Sequence, residues 1–193
     1  MQHLVVFCGS NPGNDPEYGA QAFALGKQLA LTGIGLVYGG GKVGLMGKVA
    51  EGSLQHRGKV LGIIPDFLKR KEVHHEGLQE LIVVKSMHER KLLMHERSDG
   101  IVMLPGGFGT FEEFFEMLTW AQLGLHQKPI GILNTSGFFN ELLVLFDQMV
   151  AKGFVKKVHK NMIIVSDEPE ELLAKMQDYR PRHTDKWMNK TQL

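Results

Sequence analysis

The chain has 193 residues, 43% hydrophobic and 22% charged, with a formal net charge of +1, which fits one globular domain able to bury a core. Its Lys and Arg residues are scattered rather than blocked, which argues against a nucleic-acid or membrane-surface role, and its one cysteine, Cys8, cannot close an internal disulfide, as fits a reducing compartment. No apolar run approaches the ~20 residues of a membrane span, and MQHLVVFCGS lacks the basic region and apolar core of a signal peptide, so a cytoplasmic protein is expected.

In chain order, His3 to Phe7 reads as a strand ended by Cys8-Gly9-Ser10-Asn11-Pro12-Gly13, and Glu17 to Leu31 as an amphipathic helix. Gly35 to Tyr38 is a second strand, running into Gly39-Gly40-Gly41-Lys42-Val43-Gly44 and a helix over about Leu45 to His56. Lys59 to Ile64 is a third strand closed by Pro65; residues 66–80 are polar and carry no clear periodicity. Leu81 to Val84 is a fourth strand and Met87 to Glu96 a helix. Ile101 to Leu104 is a fifth strand, broken by Pro105, Gly106, Gly107 and Gly109, and Thr110 opens a helix whose apolar face carries Phe111, Phe114, Phe115, Leu118 and Ala121. Ile130 to Leu133 and Met162 to Val165 are the sixth and seventh strands, each followed by a helix, over Gly137 to Ala151 and Glu168 to Gln177, with Pro169 in the first turn of the last. Continuous apolar strands alternating with helices predict an α/β fold, a Rossmann-like doubly wound parallel sheet of about seven strands. Its ligand belongs beyond the carboxyl ends of the strands. Residues 1–179 are expected to form one domain and 180–193 a polar tail, on which Trp187 and Met188 could dock against a neighbour.

The turn at Pro105 to Thr110 is the centre of this organisation. A strand, a glycine-rich turn and a helix N-terminus together bind phosphate, because free backbone N–H groups and the positive end of the helix dipole converge there. Glu112 and Glu113 are expected in the first turn of the helix, at the edge of that anion site. Thr110-x-x-Glu113 has the pattern of a capping box; a catalytic carboxylate is the competing reading, and a cap would also hold the carboxylate still. Gly39-x-Gly41-x-x-Gly44 satisfies the dinucleotide fingerprint formally, with Asp66 about 20 positions on for a ribose hydroxyl. That motif follows the second strand instead of the first, and the glycines equally serve a tight turn. His88-Glu89-Arg90 repeats as His95-Glu96-Arg97, which places Arg90 and Arg97 two helical turns apart on nearly one face. Such runs are usually solvated and salt-bridged; the functional alternative is guanidinium aimed at phosphate. His74-His75-Glu76 lacks metal-ligand spacing, and neither Cys8 nor Ser10 has a base paired with it in sequence, so neither a metal site nor a nucleophile is expected.

These same residues carry a resemblance. Pro105-Gly106-Gly107-Phe108-Gly109-Thr110-Phe111-Glu112-Glu113 matches the PGGxGTxxE motif of the LONELY GUY family, once widely labelled lysine decarboxylases, and Met87-His88-Glu89-Arg90-Lys91 matches its accompanying arginine motif. Tyr38 to Gly41, Gly44 to Gly47, Gly62 to Pro65 and Trp120 to Gly124 are similar as well, so that the likeness runs in order from Val5 to about Val165. It departs at Phe108, where many members have tyrosine, and at Asn11, where another small residue is common.

The resemblance implies hydrolysis of the N-glycosidic bond of nucleoside 5′-monophosphates, the base often an N6-modified adenine (a cytokinin), giving free base and ribose 5-phosphate. It implies Rossmann-like homodimers with active sites near the interface, and no metal or organic cofactor. Carried over by position, Arg90 and Glu113 are the catalytic pair. Glu72, Lys91, Gly107, Phe108, Gly109, Thr110 and Thr119 line the nucleotide site, with Ser10, Gly40 and Gly41 as further contacts. AMP and a prenylated AMP are not separated by these residues. A non-catalytic nucleotide or cofactor carrier on the same fold is the alternative, and retention of both Arg90 and Glu113 argues for the enzyme. The decarboxylase label would need a pyridoxal phosphate lysine, for which the sequence offers no suitable context.

Overall fold

The computed structural model describes residues 1–69 and 75–181. Seven strands, β1 (His3–Phe7), β2 (Gly35–Tyr38), β3 (Val60–Pro65), β4 (Glu80–Val84), β5 (Gly100–Met103), β6 (Ile130–Leu133) and β7 (Ile163–Ser166), form one sheet in the order β4-β3-β2-β1-β5-β6-β7, and every pairing is parallel. Among the described residues eight helices accompany them: α1 (Pro16–Leu31), α2 (Gly44–Gln55), α3 (Asp66–Lys69), α4 (Met87–Glu96), α5 (Phe108–Gln122), α6 (Asn140–Ala151), α7 (Lys157–Lys160) and α8 (Pro169–Gln177).

The apolar runs are continuous because both faces of the sheet are covered. Leu4 and Val6 of β1 pack on one side with Leu25 and Leu29 of α1, Val49 of α2 and Leu172 of α8. Val5 and Phe7 point the other way, into a second core with Met94 of α4, Phe114 and Met117 of α5 and Phe146 of α6. Each such side chain, removed from water, contributes about 1.5–3 kcal/mol, so the two cores fix the helices to the sheet.

Sheet order reverses between β1 and β5: the chain leaves β1 through α1 toward β2 on one side, and leaves β5 through α5 toward β6 on the other. At such a switch point the two connections diverge and leave a crevice above the strand ends. Here it opens over Cys8-Gly9 and Pro105-Gly106, whose turns are tied by a hydrogen bond from Gly9 N–H to Pro105 C=O at 3.0 Å.

Three local differences from the sequence reading have simple causes. The sixth helix does not start at Gly137: Thr135–Gly137 forms a 3₁₀ turn with Ser136 at φ 51° and Gly137 at φ 71°, and α6 begins at Asn140. The side chain of Asn134 stabilises this turn, accepting from Phe139 N–H at 2.7 Å and donating to the Asn140 side chain at 2.9 Å. The four-residue helices α3 and α7 are too short to leave a periodicity. Trp187 and Met188 lie outside the described residues. Among the described residues, no helix is long and apolar enough to cross a membrane.

Candidate active site

The crevice at the switch point is a cavity of about 520 Å³, whose walls include Cys8, Gly39, Met46, Arg90, Gly107 and Glu113. One wall is the start of α5. That helix begins at Phe108, two residues before Thr110, with Gly107 as N-cap and no side chain capping it. The capping box expected at Thr110-x-x-Glu113 is therefore not formed. Thr110 is the third helical residue and buried, and Glu112 and Glu113 stand in the second turn. The first-turn amides have no intrahelical acceptor, and Gly107 to Thr110 line the cavity, so those N–H groups are available to an anion bound there. A capping arrangement exists elsewhere, at α4: Ser86 accepts from Glu89 N–H at 3.1 Å, and the Glu89 carboxylate accepts from Lys85 N–H at 2.8 Å. The Ser86-x-x-Glu89 spacing was present in the sequence as a signal, and it fixes the start of the helix that carries Arg90.

Relieved of capping, Glu113 faces α4. Its Oε1 lies 3.6 Å from Arg90 Nη2, and the two side chains are only 11% and 10% exposed. The guanidinium occupies space that Gly39 leaves vacant: a Cβ at residue 39 would fall 2.3 Å from Arg90 Nη2. The first glycine of the three-glycine turn thus makes room for a side chain from another helix, a role the sequence reading did not assign. Arg90 Nε is buried without a hydrogen-bond partner, so the guanidinium has donor capacity left over.

Burial pushes the Glu113 carboxyl up from its ordinary value; Arg90 opposes this and Glu112 adds to it. Burial, reinforced by the charge of Glu113, likewise pushes the Cys8 thiol up, which keeps it a neutral thiol and a poor nucleophile at pH 7. A carboxylate and a fixed cation, both shielded from water and beside free amide donors, can stabilise a developing positive charge while holding an anionic group nearby.

Ser10 and Phe108 also line the cavity, Phe108 at its rim and 97% exposed. Lys91 does not. It is buried behind the pair and bridges Glu112 at 2.5 Å and Glu116 at 3.1 Å. Gly40 and Gly41 stand outside the cavity wall, Gly40 with its carbonyl accepting from His75 N–H at 3.1 Å. Thr119 lines a separate, smaller groove with Phe115, Phe146 and Met149. Arg97, the C-cap of α4, is exposed at the end of the helix away from Arg90, because seven residues carry it ~10 Å along the axis. Glu72 lies outside the described residues.

The dinucleotide reading of Gly39-x-Gly41-x-x-Gly44 fails on geometry. The N–H groups of Leu45 and Met46, at the start of α2, donate to Gly9 C=O at 3.0 and 3.4 Å. Gly44, at φ 63°, packs so close to Ser10 that a Cβ would lie 2.3 Å from its carbonyl carbon. The helix end that should meet a pyrophosphate is filled by the chain's own backbone.

A family model described as "Possible lysine decarboxylase" matches residues 46–176. A probable cytokinin riboside 5′-monophosphate phosphoribohydrolase of Oryza sativa subsp. japonica is 46% identical over 182 residues, covering 94% of this chain and 82% of the relative. The chain belongs to the LONELY GUY family. A second LONELY GUY relative, a cytokinin riboside 5′-monophosphate phosphoribohydrolase of Arabidopsis thaliana, is 42% identical over 183 residues, 95% of this chain and 86% of the relative. Among solved structures, a molybdenum cofactor binding protein from Rippkaea orientalis superposes with a TM-score of 0.69 at 22% identity, covering 92% of this chain and 96% of that one. A molybdenum cofactor carrier protein from Chlamydomonas reinhardtii gives 0.68 at 21%, with 92% and 96% covered. At that identity these share the fold and carry no argument about ligand. The LONELY GUY motif PGGxGTxxE is the β5–α5 turn and second turn of α5, and its arginine partner is Arg90. The older decarboxylase label finds no support in the cavity. Pyridoxal phosphate needs a lysine for its Schiff base, and among the described residues no lysine lines the cavity.

Proposed function

We propose that the protein hydrolyses the N-glycosidic bond of nucleoside 5′-monophosphates, N6-modified adenosine 5′-monophosphates in particular, releasing the free base and ribose 5-phosphate. The observation that carries this reading is the buried Arg90–Glu113 pair at 3.6 Å beside the uncapped start of α5, in a chain more than 40% identical to phosphoribohydrolases over nearly its whole length. As the bond to the base breaks, its electron pair leaves with the purine and positive charge builds on the ribose, as in glycoside hydrolysis. Ionised Glu113 stabilises that oxocarbenium character and positions the attacking water or takes its proton. Arg90 stays charged and cannot act as a base; it holds the phosphate or orients Glu113. The N–H groups of Gly107 to Thr110 supply donors for phosphate oxygens, and Met46, Met87 and Met94 give the cavity a deformable apolar side suited to a flat base and its N6 substituent.

The protein is read as cytoplasmic and as a homodimer. A monomer in light scattering at micromolar concentration would remove the second of these.

Product analysis tests the function. Protein is incubated without added metal with AMP, N6-isopentenyl-AMP and the corresponding nucleosides, and released base is followed by chromatography. Base from the monophosphates and none from the nucleosides is expected; the ratio between the two monophosphates separates AMP nucleosidase activity from cytokinin activation. No base from any substrate, with nucleotide binding intact by calorimetry, would overturn the reading in favour of a carrier.

A further inference from the structure

The Arg90 guanidinium has sulfur on two sides. Its Nη1 points at Met87 Sδ, 4.0 Å away, and a thioether is a weak acceptor. Its Nη2, which faces Glu113 at 3.6 Å, stands close to Met46: a Cβ at residue 39 would fall 2.3 Å from this nitrogen and 3.0 Å from Met46 Sδ. Nε is buried and has no hydrogen-bond partner among the described residues. A cation removed from water with N–H donors unused gains strongly from any oxygen acceptor brought within reach. Both methionines line the cavity, so a small solute that enters it meets their side chains. We propose that Met87 is an oxidation site through which a hydroperoxide switches base release off: the sulfoxide oxygen captures the Arg90 guanidinium, and reduction of the sulfoxide releases it. The inference rests on the phosphoribohydrolase reading for its effect on turnover, and on geometry alone for the contact.

The thioether sulfur attacks one oxygen of the hydroperoxide. An S–O bond forms, the O–O bond breaks, and the other oxygen leaves as water, or as an alcohol from an organic hydroperoxide, taking the proton of the transferred oxygen. Sulfur loses two electrons and the peroxide gains them; two thiols return them through a sulfoxide reductase, giving the thioether, water and a disulfide. Met87 is the methionine placed for this. It is half-buried on the cavity wall, whereas Met94, Met103 and Met117 are fully buried and Met46 nearly so. As the first residue of α4, whose first turn Ser86 caps, it lies three residues before Arg90 and on the same side of the helix. The 4.0 Å between Sδ and Nη1 leaves room for one oxygen bonded to the sulfur and within charge-assisted hydrogen-bond reach of the nitrogen, about 2.7–2.9 Å. That oxygen is a full acceptor where the thioether was a weak one. It competes with Glu113, and with a phosphate, for the same donors.

The experiment compares wild type, M87L and M87Q before hydrogen peroxide, after it, and after repair by methionine sulfoxide reductases of both epimer specificities. Peptide mass spectrometry locates the added oxygen. Base release from N6-isopentenyl-AMP gives kcat and KM, and ¹⁵N–¹H NMR follows the Arg90 Nε–H signal, assigned by its loss in R90K. Wild type should gain oxygen at Met87, lose about 10²-fold in kcat as the guanidinium is drawn roughly 1 Å out of place, and show a displaced Arg90 signal. The reductases should restore both. M87L, measured against its own untreated rate, should keep most of it. M87Q, with an amide oxygen near the place of the sulfoxide's, should be slow before peroxide and indifferent to it. Met87 sulfoxide formed with kcat and the Arg90 signal unchanged would overturn the proposal. So would a Met87 that stays reduced while exposed Met1 is oxidised, a loss in M87L as large as in wild type, or an inhibition that the reductases leave in place. The wild-type cycle of oxidation and repair decides the matter if M87L fails to fold. If untreated wild type releases no base, the function proposed above fails, while the Arg90 signal still reads the capture.

Discussion

Substitution of Gly39 by alanine tests whether the position of Arg90, and not merely its presence, carries activity. Gly39 is not in the positive-φ region, so alanine meets no backbone strain there, and the unfolded chain loses entropy, an effect worth about 0.4–1 kcal/mol in favour of folding. The cost falls on the guanidinium. The new methyl would lie 2.3 Å from Arg90 Nη2 and 3.0 Å from Met46 Sδ, where an ordinary contact is about 3.5 Å. Methionine yields easily, so the arginine head must retreat by roughly 1 Å. It can do so, being the far end of a flexible side chain, and the protein should fold with a melting temperature within a few degrees of wild type. A misplacement of that size at a catalytic group costs about 10²-fold in rate. Circular dichroism melting and chromatography of base released from N6-isopentenyl-AMP read the two effects separately. A folded Gly39→Ala protein that turns over at the wild-type rate would refute the reasoning, because the geometry of the Arg90–Glu113 pair would then not matter to the reaction.

Other predictions follow from the same contacts. Glu113→Gln should bind nucleotide but lose about 10²–10³ in rate. It should also melt higher than wild type near pH 7: burial raises the Glu113 carboxyl above its ordinary 4.5, so its contribution to stability is present below that value and lost as pH rises through the folded-state value. The gap should close on acidification, and a lower melting point for the variant at pH 7 would contradict the sign. His126, buried, has Nε2 2.9 Å from Met117 C=O and accepts at Nδ1 from Lys128 N–H at 3.2 Å, which requires the neutral ring. Burial lowers it from 6.5 to about 4, so stability falls as pH drops between those values; urea melts of His126→Gln should lack that slope, worth up to a few kcal/mol. Gly44→Ala, strained at φ 63° and blocked by Ser10 backbone, should lose about 1–3 kcal/mol in denaturant melts.

The central strands were legible in the sequence because they are buried on both faces; β1, β2 and β6 fall on the expected residues, and the others, the partly exposed edge strands β4 and β7 included, within a residue or two. The switch point could be anticipated only as a class of site, since strand order depends on pairings between residues far apart. Arg90 and Glu113 were singled out through motif resemblance, whereas local pattern left Glu113 between a cap and a catalytic carboxylate, and no cap is formed. Gly107 in extended conformation starts α5 two residues early, and a threonine pattern cannot report where a glycine-rich turn chooses to enter a helix. Lys91 had no local signal of its contacts. The resemblance alone placed it at the nucleotide site, and only the approach of α5 shows its ion pairs with Glu112 and Glu116. Gly39 carried no signal of its function, because the side chain that needs its space arrives from a helix about fifty residues on.

The burial of the pair is itself part of the argument for chemistry. A carboxylate that only stabilised the fold would gain nothing from a site that raises its pKa, and an exposed one would satisfy the same sequence at less cost. Placed in water, however, Glu113 would be screened and its effect on a developing ribose cation small. In the crevice the field of one charge is felt at full strength, provided the group remains ionised at the working pH. That condition sets burial against neighbouring cations. Arg90 opposes the effect of burial directly at 3.6 Å. Arg90 and Lys91 together favour the ionised form of Glu113 against burial and against the neighbouring Glu112 and Glu116.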